Sequence, residues 1–380
     1  MTADERVLHE SFMRRAIELA ERGRWRTAPN PTVGAVLVRD GEIVAEGWHQ
    51  VCGQAHAEVN CLRDAAEKGV DTSACTLYVT LEPCNHFGKT PPCSHAVFNA
   101  GIRRVVIGMP DPNAKAAGGA EFLRENGVEV VMGVLEAECR DLIADFLVWQ
   151  GTRRPYVILK MASTLDGRIS TKAGRGQKIS NDASHAEVHR LREKVGLAGG
   201  AVLVGGNTFA LDDPRLTART DTAERQPLAA VLTSRLPSEN SCALLRERAE
   251  QSVFFTTAAQ AASPAAAQIR ARGARVYGVD AAGTSGLLDI AQALEMLRTE
   301  ENCLYVFCEG GGRTALSLLE AGLADEFLLH MAPAIIGDEE ATPLFSGRHA
   351  ESMEDALRMR AVSVTLAEGD VHMRFRAIRG

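Results

Sequence analysis

Apolar positions along the chain switch between a period near 3.6 and a period near 2, which predicts two successive α/β segments. From about Leu8 to Arg22, Phe12, Ala16, Leu19 and Ala20 recur at helical spacing. Val33 to Val38 and Glu42 to Gly47 then flank Arg39-Asp40-Gly41, and Asp-Gly between apolar runs predicts a hairpin. Helical and strand patterns follow in alternation. Helices are expected from His56 to Lys68, Cys93 to Ala100, Ala120 to Glu125 and Glu136 to Trp149, with strands at Thr76 to Thr80, Val105 to Gly108 and Val128 to Val131. This order predicts a layered α/β domain over residues 1–150. Gly151-Thr152-Arg153-Arg154, just before Pro155, is expected to be the linker, 151–154.

The alternation restarts over residues 155–380. Strands are expected at Tyr156 to Met161, Ala201 to Val204, Leu228 to Thr233, Val253 to Thr256 and Cys303 to Cys308. Helices are expected from Asp182 to Val195 and Leu287 to Thr299, with a short helical run within Ala258 to Ala267. The last of these strands runs into Glu309-Gly310-Gly311-Gly312 and a further helix. No internal repeat and no sustained low-complexity tract interrupts the pattern.

Composition narrows the class. The chain has 380 residues, long for one hydrophobic core, and its 46% hydrophobic and 24% charged content is that of a globular protein. No apolar run approaches the ~18 to 20 residues of a membrane span. The formal charge of −7 argues against a nonspecific nucleic-acid binder. The acidic start Met1-Thr2-Ala3-Asp4-Glu5 lacks a signal-peptide core, so the nine cysteines are expected as thiols or ligands in a reducing, cytoplasmic setting.

The chemistry concentrates in His56-Ala57-Glu58 and in Pro83-Cys84 with Pro91-Pro92-Cys93. Displacing ammonia from an amidine-like ring carbon needs a strong nucleophile, and bound zinc lowers the pKa of its water to about 7. His56, Cys84 and Cys93 supply three ligands and leave a fourth position open, as catalytic zinc requires. Glu58 stays off the metal and shuttles protons, as in zinc deaminases. Eight residues separate Cys84 from Cys93, where nucleic-acid and free-base deaminases carry two. The longer loop holds Lys89, which suits a phosphate, and His86, which suits the substrate pocket. His86 and His95 are spare metal candidates.

In the second segment, Gly310-Gly311-Gly312 sits between a strand and a helix, either as a phosphate cradle or as a tight turn. Asp212 to Arg219 is a charged loop able to hold hydroxyls and phosphates, or a solvated surface. Thr233-Ser234-Arg235 is equally a site for a 2′-phosphate or a plain loop.

Taken together, these motifs resemble the bifunctional riboflavin-biosynthesis deaminase–reductase family, RibD/RibG. The resemblance rests on Asn30 to Val36, His56-Ala57-Glu58, Leu81 to Cys84, Pro91-Pro92-Cys93 and Asp111-Pro112-Asn113 in the first half. In the second it rests on Lys160 to Gly167, Val204 to Thr208, Asp212-Asp213-Pro214 and Glu309-Gly310-Gly311. It implies a cytidine-deaminase-like α/β/α domain followed by a dihydrofolate-reductase-like α/β domain, with one zinc ion per chain and NADPH as cofactors. It also implies two reactions: deamination of 2,5-diamino-6-ribosylamino-4(3H)-pyrimidinone 5′-phosphate, then reduction of the ribosyl group of 5-amino-6-(5-phosphoribosylamino)uracil to ribityl. By the family pattern, Asn30, His49, His86, Lys89 and Asn113 surround the pyrimidine and its phosphate. Ala162, Lys178, Thr208, Asp212, Ser234 and the run Gly311, Gly312, Arg313, Thr314, Ala315, Leu316 and Ser317 match the NADPH positions. Gly176, Arg192, Leu216, Arg219 and Glu309 match the reductase substrate positions. Partners are then small pyrimidine ribosyl phosphates, with neither nucleic acid nor membrane, and the chain is expected to be a homo-oligomer.

Two positions depart from the family pattern. Lys178-Ile179-Ser180 stands where the family usually has a tryptophan beside the nicotinamide, and Gly199-Gly200-Ala201 lacks the usual acidic residue. The alternative readings are a deaminase whose second domain is a noncatalytic oligomerisation or substrate-holding module, and a nucleic-acid or free-base deaminase.

Overall fold

The computed structural model describes residues 3–87, 91–172, 178–282 and 287–378, and Lys89 and Gly176 lie outside these. The chain divides into two compact units at Thr152/Arg153.

The first unit runs α1 (Ala3–Glu21), β1 (Gly34–Arg39), β2 (Glu42–Trp48), α2 (Ala57–Glu67), β3 (Thr76–Leu81), α3 (Cys93–Asn99), β4 (Arg104–Met109), α4 (Gly119–Glu125), β5 (Glu129–Met132), α5 (Glu136–Leu142) and α6 (Ala144–Gly151). Its sheet has the order β2-β1-β3-β4-β5. The first two pairings are antiparallel and the last two parallel. Phe12, Met13, Ala16, Leu19 and Ala20 form the buried stripe of α1, so the helical period places that helix against the sheet. Asp40 and Gly41 both have positive φ, 52° and 80°, the backbone a two-residue hairpin turn needs. The single helix expected from Glu136 to Trp149 is in fact two. Ile143 leaves the helical region at φ −106°, ψ 26°, yet stays buried. The apolar period therefore passes through the break unaltered, and packing rather than sequence pattern sets it.

The second unit runs β6 (Tyr156–Thr164), β7 (Arg168–Ser170), α7 (Asp182–Leu197), β8 (Ala201–Gly205), α8 (Gly206–Asp212), β9 (Leu228–Leu232), α9 (Ala243–Glu247), β10 (Ser252–Thr257), α10 (Ala258–Ala261), α11 (Pro264–Ala271), β11 (Arg275–Val279), β12 (Ala281–Ala282), β13 (Leu287–Leu288), α12 (Ile290–Thr299), β14 (Tyr305–Cys308), α13 (Gly312–Glu320), β15 (Glu326–Ala332), β16 (Thr342–Pro343), β17 (Met359–Ala367) and β18 (Asp370–Ala377). Its main sheet has the order β11-β10-β9-β8-β14-β6-β15-β18-β17. Pairings are parallel from β11 to β15, after which the β17–β18 hairpin adds antiparallel. Val157, Leu159 and Met161 of β6 pack into the core with Leu294 and Leu297 of α12 and Leu318 of α13. Strand alternation turns Lys160 and Ala162 to the opposite face.

Two further helices differ from the sequence expectation. The helix expected from Leu287 begins at Ile290, because Asp289 caps it by accepting from the amides of Ala291 and Gln292. The helical run within Ala258 to Ala267 is two helices, since Ser263 caps and Pro264 restarts the second. Within the expected linker, the Arg154 guanidinium grips the buried Asp325 carboxylate at 2.6 and 2.8 Å. Asp325 also accepts from the Val157 amide at 2.8 Å. Asp325→Ala, which strands that arginine, is expected to cost about 3–5 kcal/mol, read as a lowered urea midpoint of the second unit.

Candidate active sites

Three elements of the first unit converge on one point. His56 is the residue before α2, Cys93 opens α3, and Cys84 lies three residues beyond β3. Their ligand atoms all lie within 4.8 Å of one another. His56 Nδ1 is 3.3 Å from Cys93 Sγ and 3.7 Å from Cys84 Sγ. The Cys93 amide donates to Cys84 Sγ at 3.4 Å. Hydrogen bonds from Cys93 and His56 pull the Cys84 thiol down to about 4, so a thiolate is already favoured there. One imidazole and two cysteine sulfurs with a stabilised thiolate are a donor set that fits tetrahedral zinc.

Glu58, in the first turn of α2, is 3% exposed, and burial raises its carboxyl above the usual range. His49 donates through Nδ1 to the Ala55 carbonyl at 3.0 Å, which leaves Nε2 to accept from Asn30 Nδ2 at 3.2 Å. Its ring also meets His56 edge-on at 5.3 Å. Asn30 and His49 thus stand beside the metal ligands. Asn113 follows the loop back to the site, but its side-chain oxygen accepts from the Lys115 amide at 3.1 Å and shapes a turn. His86 is exposed. His95, the spare metal candidate, stacks on Phe122 at 4.2 Å and takes no place in the cluster.

Glu82, for which the sequence alone indicates no role, is the brace of this site. Its buried carboxylate accepts from the amides of Asp111, Gly118 and Ala120 at 3.0 to 3.1 Å, which ties the Asn113 loop to the strand leading into Cys84. The approach is so close that a Cβ on Gly119 would lie 1.8 Å from the Pro83 carbonyl oxygen.

The second unit holds another polar cluster on the α7 face of its sheet. Arg192 forks onto Glu309 at 2.6 and 2.8 Å and donates to the Thr217 carbonyl at 3.0 Å. This brings Arg192, Glu309 and the loop holding Leu216 and Arg219 together. Leu216 is buried with φ +52°. The Arg219 guanidinium meets His189 at 2.9 and 3.2 Å. Lys160, at the head of the Lys160 to Gly167 motif, joins this cluster. Its ammonium lies near Glu309, Arg192 and Asp370, and burial lowers its pKa.

Around the glycine run, Gly311 caps α13 with extended backbone. A Cβ added there would approach only the Thr208 hydroxyl, at 3.0 Å, whereas one on Gly312 would strike the Leu344 carbonyl at 2.6 Å. Gly312 is therefore a packing requirement, and Gly311 leaves a helix N-terminus open beside Thr208, as a dinucleotide phosphate needs. Thr208 and Asp212 lie on α8, and burial raises the Asp212 carboxyl. Ser234 follows β9 beside Thr233, whose hydroxyl donates to the Arg235 carbonyl at 2.9 Å. Ala162 pairs with His330 across β6 and β15. Lys178 makes a 2.9 Å ion pair with Asp182, both largely exposed. The charge at this departure from the family pattern is thus matched within the first turn of α7.

A deaminase-type zinc centre on one unit and a glycine-capped α/β unit on the other define a two-domain deaminase–reductase. Residues 6–109 match the cytidine and deoxycytidylate deaminase zinc-binding region, and residues 155–373 match the RibD C-terminal domain. The riboflavin biosynthesis protein RibD of Aquifex aeolicus is 37% identical over 94% of this chain and 96% of its own length. RibD of Escherichia coli is 36% identical over 87% and 89%. Among solved structures, a diaminohydroxyphosphoribosylaminopyrimidine deaminase/5-amino-6-(5-phosphoribosylamino)uracil reductase from Thermotoga maritima is 34% identical, with a TM-score of 0.79 over 98% of this chain and 100% of that one. Acinetobacter baumannii RibD superposes with a TM-score of 0.78 at 31% identity, over 98% and 100%. The chain belongs to the RibD family. It is a bifunctional deaminase and reductase of riboflavin biosynthesis, using zinc and NADPH.

Proposed function

We propose that the first unit deaminates 2,5-diamino-6-ribosylamino-4(3H)-pyrimidinone 5′-phosphate and the second reduces the ribosyl group of 5-amino-6-(5-phosphoribosylamino)uracil. The observation that carries this reading is the pairing of two sites on one chain: the His56, Cys84 and Cys93 cluster with a buried Glu58, and the Arg192–Glu309 cluster beside Lys160. Zinc held by His56, Cys84 and Cys93 supplies the Lewis acidity that makes water a nucleophile near neutral pH. Glu58 takes the water's proton and returns it to the ring nitrogen and the departing amine. His49 and Asn30 orient the ring. Asn113, His86 and Lys89 complete the pocket and its phosphate contact.

In the second unit, Thr208, Asp212, Ser234 and residues 311–317 hold NADPH, with Ala162 and Lys178 alongside. Gly176, Leu216, Arg192, Glu309 and Arg219 hold the ribosyl phosphate, with Arg219 on the phosphate. The Lys178–Asp182 pair offers an ammonium and no aromatic platform, so the nicotinamide relies on the sheet floor at Ala162. Nine free cysteines support a cytoplasmic setting. The β17 edge, with Val364 and Leu366 exposed, supports a homo-oligomer. No described helix is long and apolar enough to cross a membrane.

The test is NADPH oxidation by zinc-loaded protein given the diamino substrate, which must be deaminated before it can be reduced. Oxidation that follows ammonia release, and that falls at least about tenfold in Arg219→Ala and Asp212→Ala while ammonia release persists, supports the reading. Ammonia release without any oxidation leaves the second unit noncatalytic. Ammonia from cytosine or tRNA, with none from the pyrimidine phosphate, overturns the substrate assignment.

A further inference from the structure

We infer that His189 is a positioning residue of the reductase, presenting the Arg219 guanidinium to the substrate's phosphate; the inference rests on the role proposed above for Arg219. His185, His189 and Arg192 fall at i, i+4 and i+7 on α7, so they share one face of the helix. Opposite them runs the loop from Leu216 to Thr222. Arg219 Nε and Nη2 approach His189 Nε2 at 3.2 and 2.9 Å. Both are donors and call for a lone pair on Nε2, while the Arg219 backbone amide approaches Nδ1 at 3.3 Å, so both ring nitrogens face donors of the same arginine. The ring therefore works as an adaptor: it is anchored on the loop backbone at one nitrogen and holds the arginine at the other.

This arrangement has a consequence for recognition. With Nε and Nη2 against the ring, the Nη1–Nη2 edge still offers two parallel donors in the geometry that pairs with phosphate oxygens. Without the ring, an exposed arginine samples many rotamers and loses that preorganisation. The loop has anchors besides His189. Arg192 bonds the Thr217 carbonyl at 3.0 Å, and Glu193 accepts from the hydroxyls of Thr220 and Thr222, each at 2.7 Å. Gln226 closes both ends of Ala218 at 2.8 and 3.0 Å.

The charged groups that act on the ring are Arg192 on its own helix, Arg219 on the loop and Glu309 beyond β14. Burial and the two arginine charges lower its pKa, against a smaller opposing effect of Glu309. The ring is thus neutral and able to accept at physiological pH, and protonation in acid ejects the guanidinium.

The experiment measures NADPH oxidation on 5-amino-6-(5-phosphoribosylamino)uracil with the full zinc-loaded chain and with His189→Ala, His189→Gln and Arg219→Ala. His189→Ala is expected to raise the substrate KM about tenfold with kcat within about twofold. His189→Gln keeps an acceptor toward Arg219 and is expected to recover most of that loss. It should also abolish the acid limb that wild-type kcat/KM shows below the ordinary histidine value of 6.5. A raised KM in Arg219→Ala with none in His189→Ala overturns the positioning role alone. An unchanged KM in Arg219→Ala sinks the phosphate assignment beneath it. A fall in kcat in His189→Ala that glutamine does not rescue assigns the histidine a structural role and overturns the inference.

Discussion

Glu58→Gln is expected to lower ammonia release by about three orders of magnitude while the protein keeps its zinc. The residue opens α2 two positions after His56, inside the pocket yet outside the trio of donor atoms. Glutamine preserves size and one acceptor, so the ligands and the fold have no reason to move. What it removes is proton exchange, and a positioned acid–base group contributes typically ~10²–10⁴ in rate. Burial keeps the Glu58 carboxyl's pKa above the usual range, nearer to neutrality than a free carboxylate, and this favours proton return as well as capture. Metal analysis should still find one zinc per chain, and NADPH oxidation on the deaminated substrate should match wild type. Wild-type ammonia release by this variant would remove the proton-shuttle role.

The deaminase centre was legible in the sequence because its chemistry is local. Zinc chemistry demands particular residue types, and His56, Cys84 and Cys93 each sit at or near an element boundary that the apolar period marks. The brace was not legible. Glu82 lies in a quoted motif, yet its three amide donors come from 29 to 38 residues downstream and join it only after folding. In the second unit, the glycine run announced a helix N-terminus, but only the close approach of the Leu344 carbonyl separates the packing glycine, Gly312, from Gly311. The β17–β18 hairpin escaped the periodicity argument altogether. Val362 to Leu366 of β17 and Val371 to Ala377 of β18 do alternate apolar and polar residues, yet β17 is exposed along nearly its whole length and buries no stripe, while Asp370 on β18 accepts from the buried Ser184 hydroxyl at 2.6 Å across 186 residues of sequence. His189 and Lys160 were equally silent, because their roles come from neighbours on other elements.

Lys160→Met is expected to lower NADPH oxidation by about 10²- to 10³-fold without affecting ammonia release. Converting a ribosyl to a ribityl group breaks the C1′–O4′ bond, places a hydride on C1′ and requires a proton on O4′. NADPH, when bound, supplies the hydride. The proton must come from the protein side, at a group that is charged near neutral pH and close to the ribose. Lys160 meets these conditions: it lies on the same face of β6 as Ala162, near Glu309 and Arg192, and burial lowers its pKa below the ordinary 10.5. Glu309 and Asp370 oppose that shift and Arg192 adds to it, and the net lowering makes the ammonium give up its proton more readily than an exposed lysine does. Methionine keeps an unbranched side chain only one heavy atom shorter and removes the acid, so NADPH should still bind with wild-type affinity. Wild-type kcat should show a basic limb at a pH below 10.5, and the variant's residual rate should lose it. Full activity in Lys160→Met would move the proton donor elsewhere in the cluster; a joint loss of NADPH binding would instead make the lysine part of the cofactor cradle.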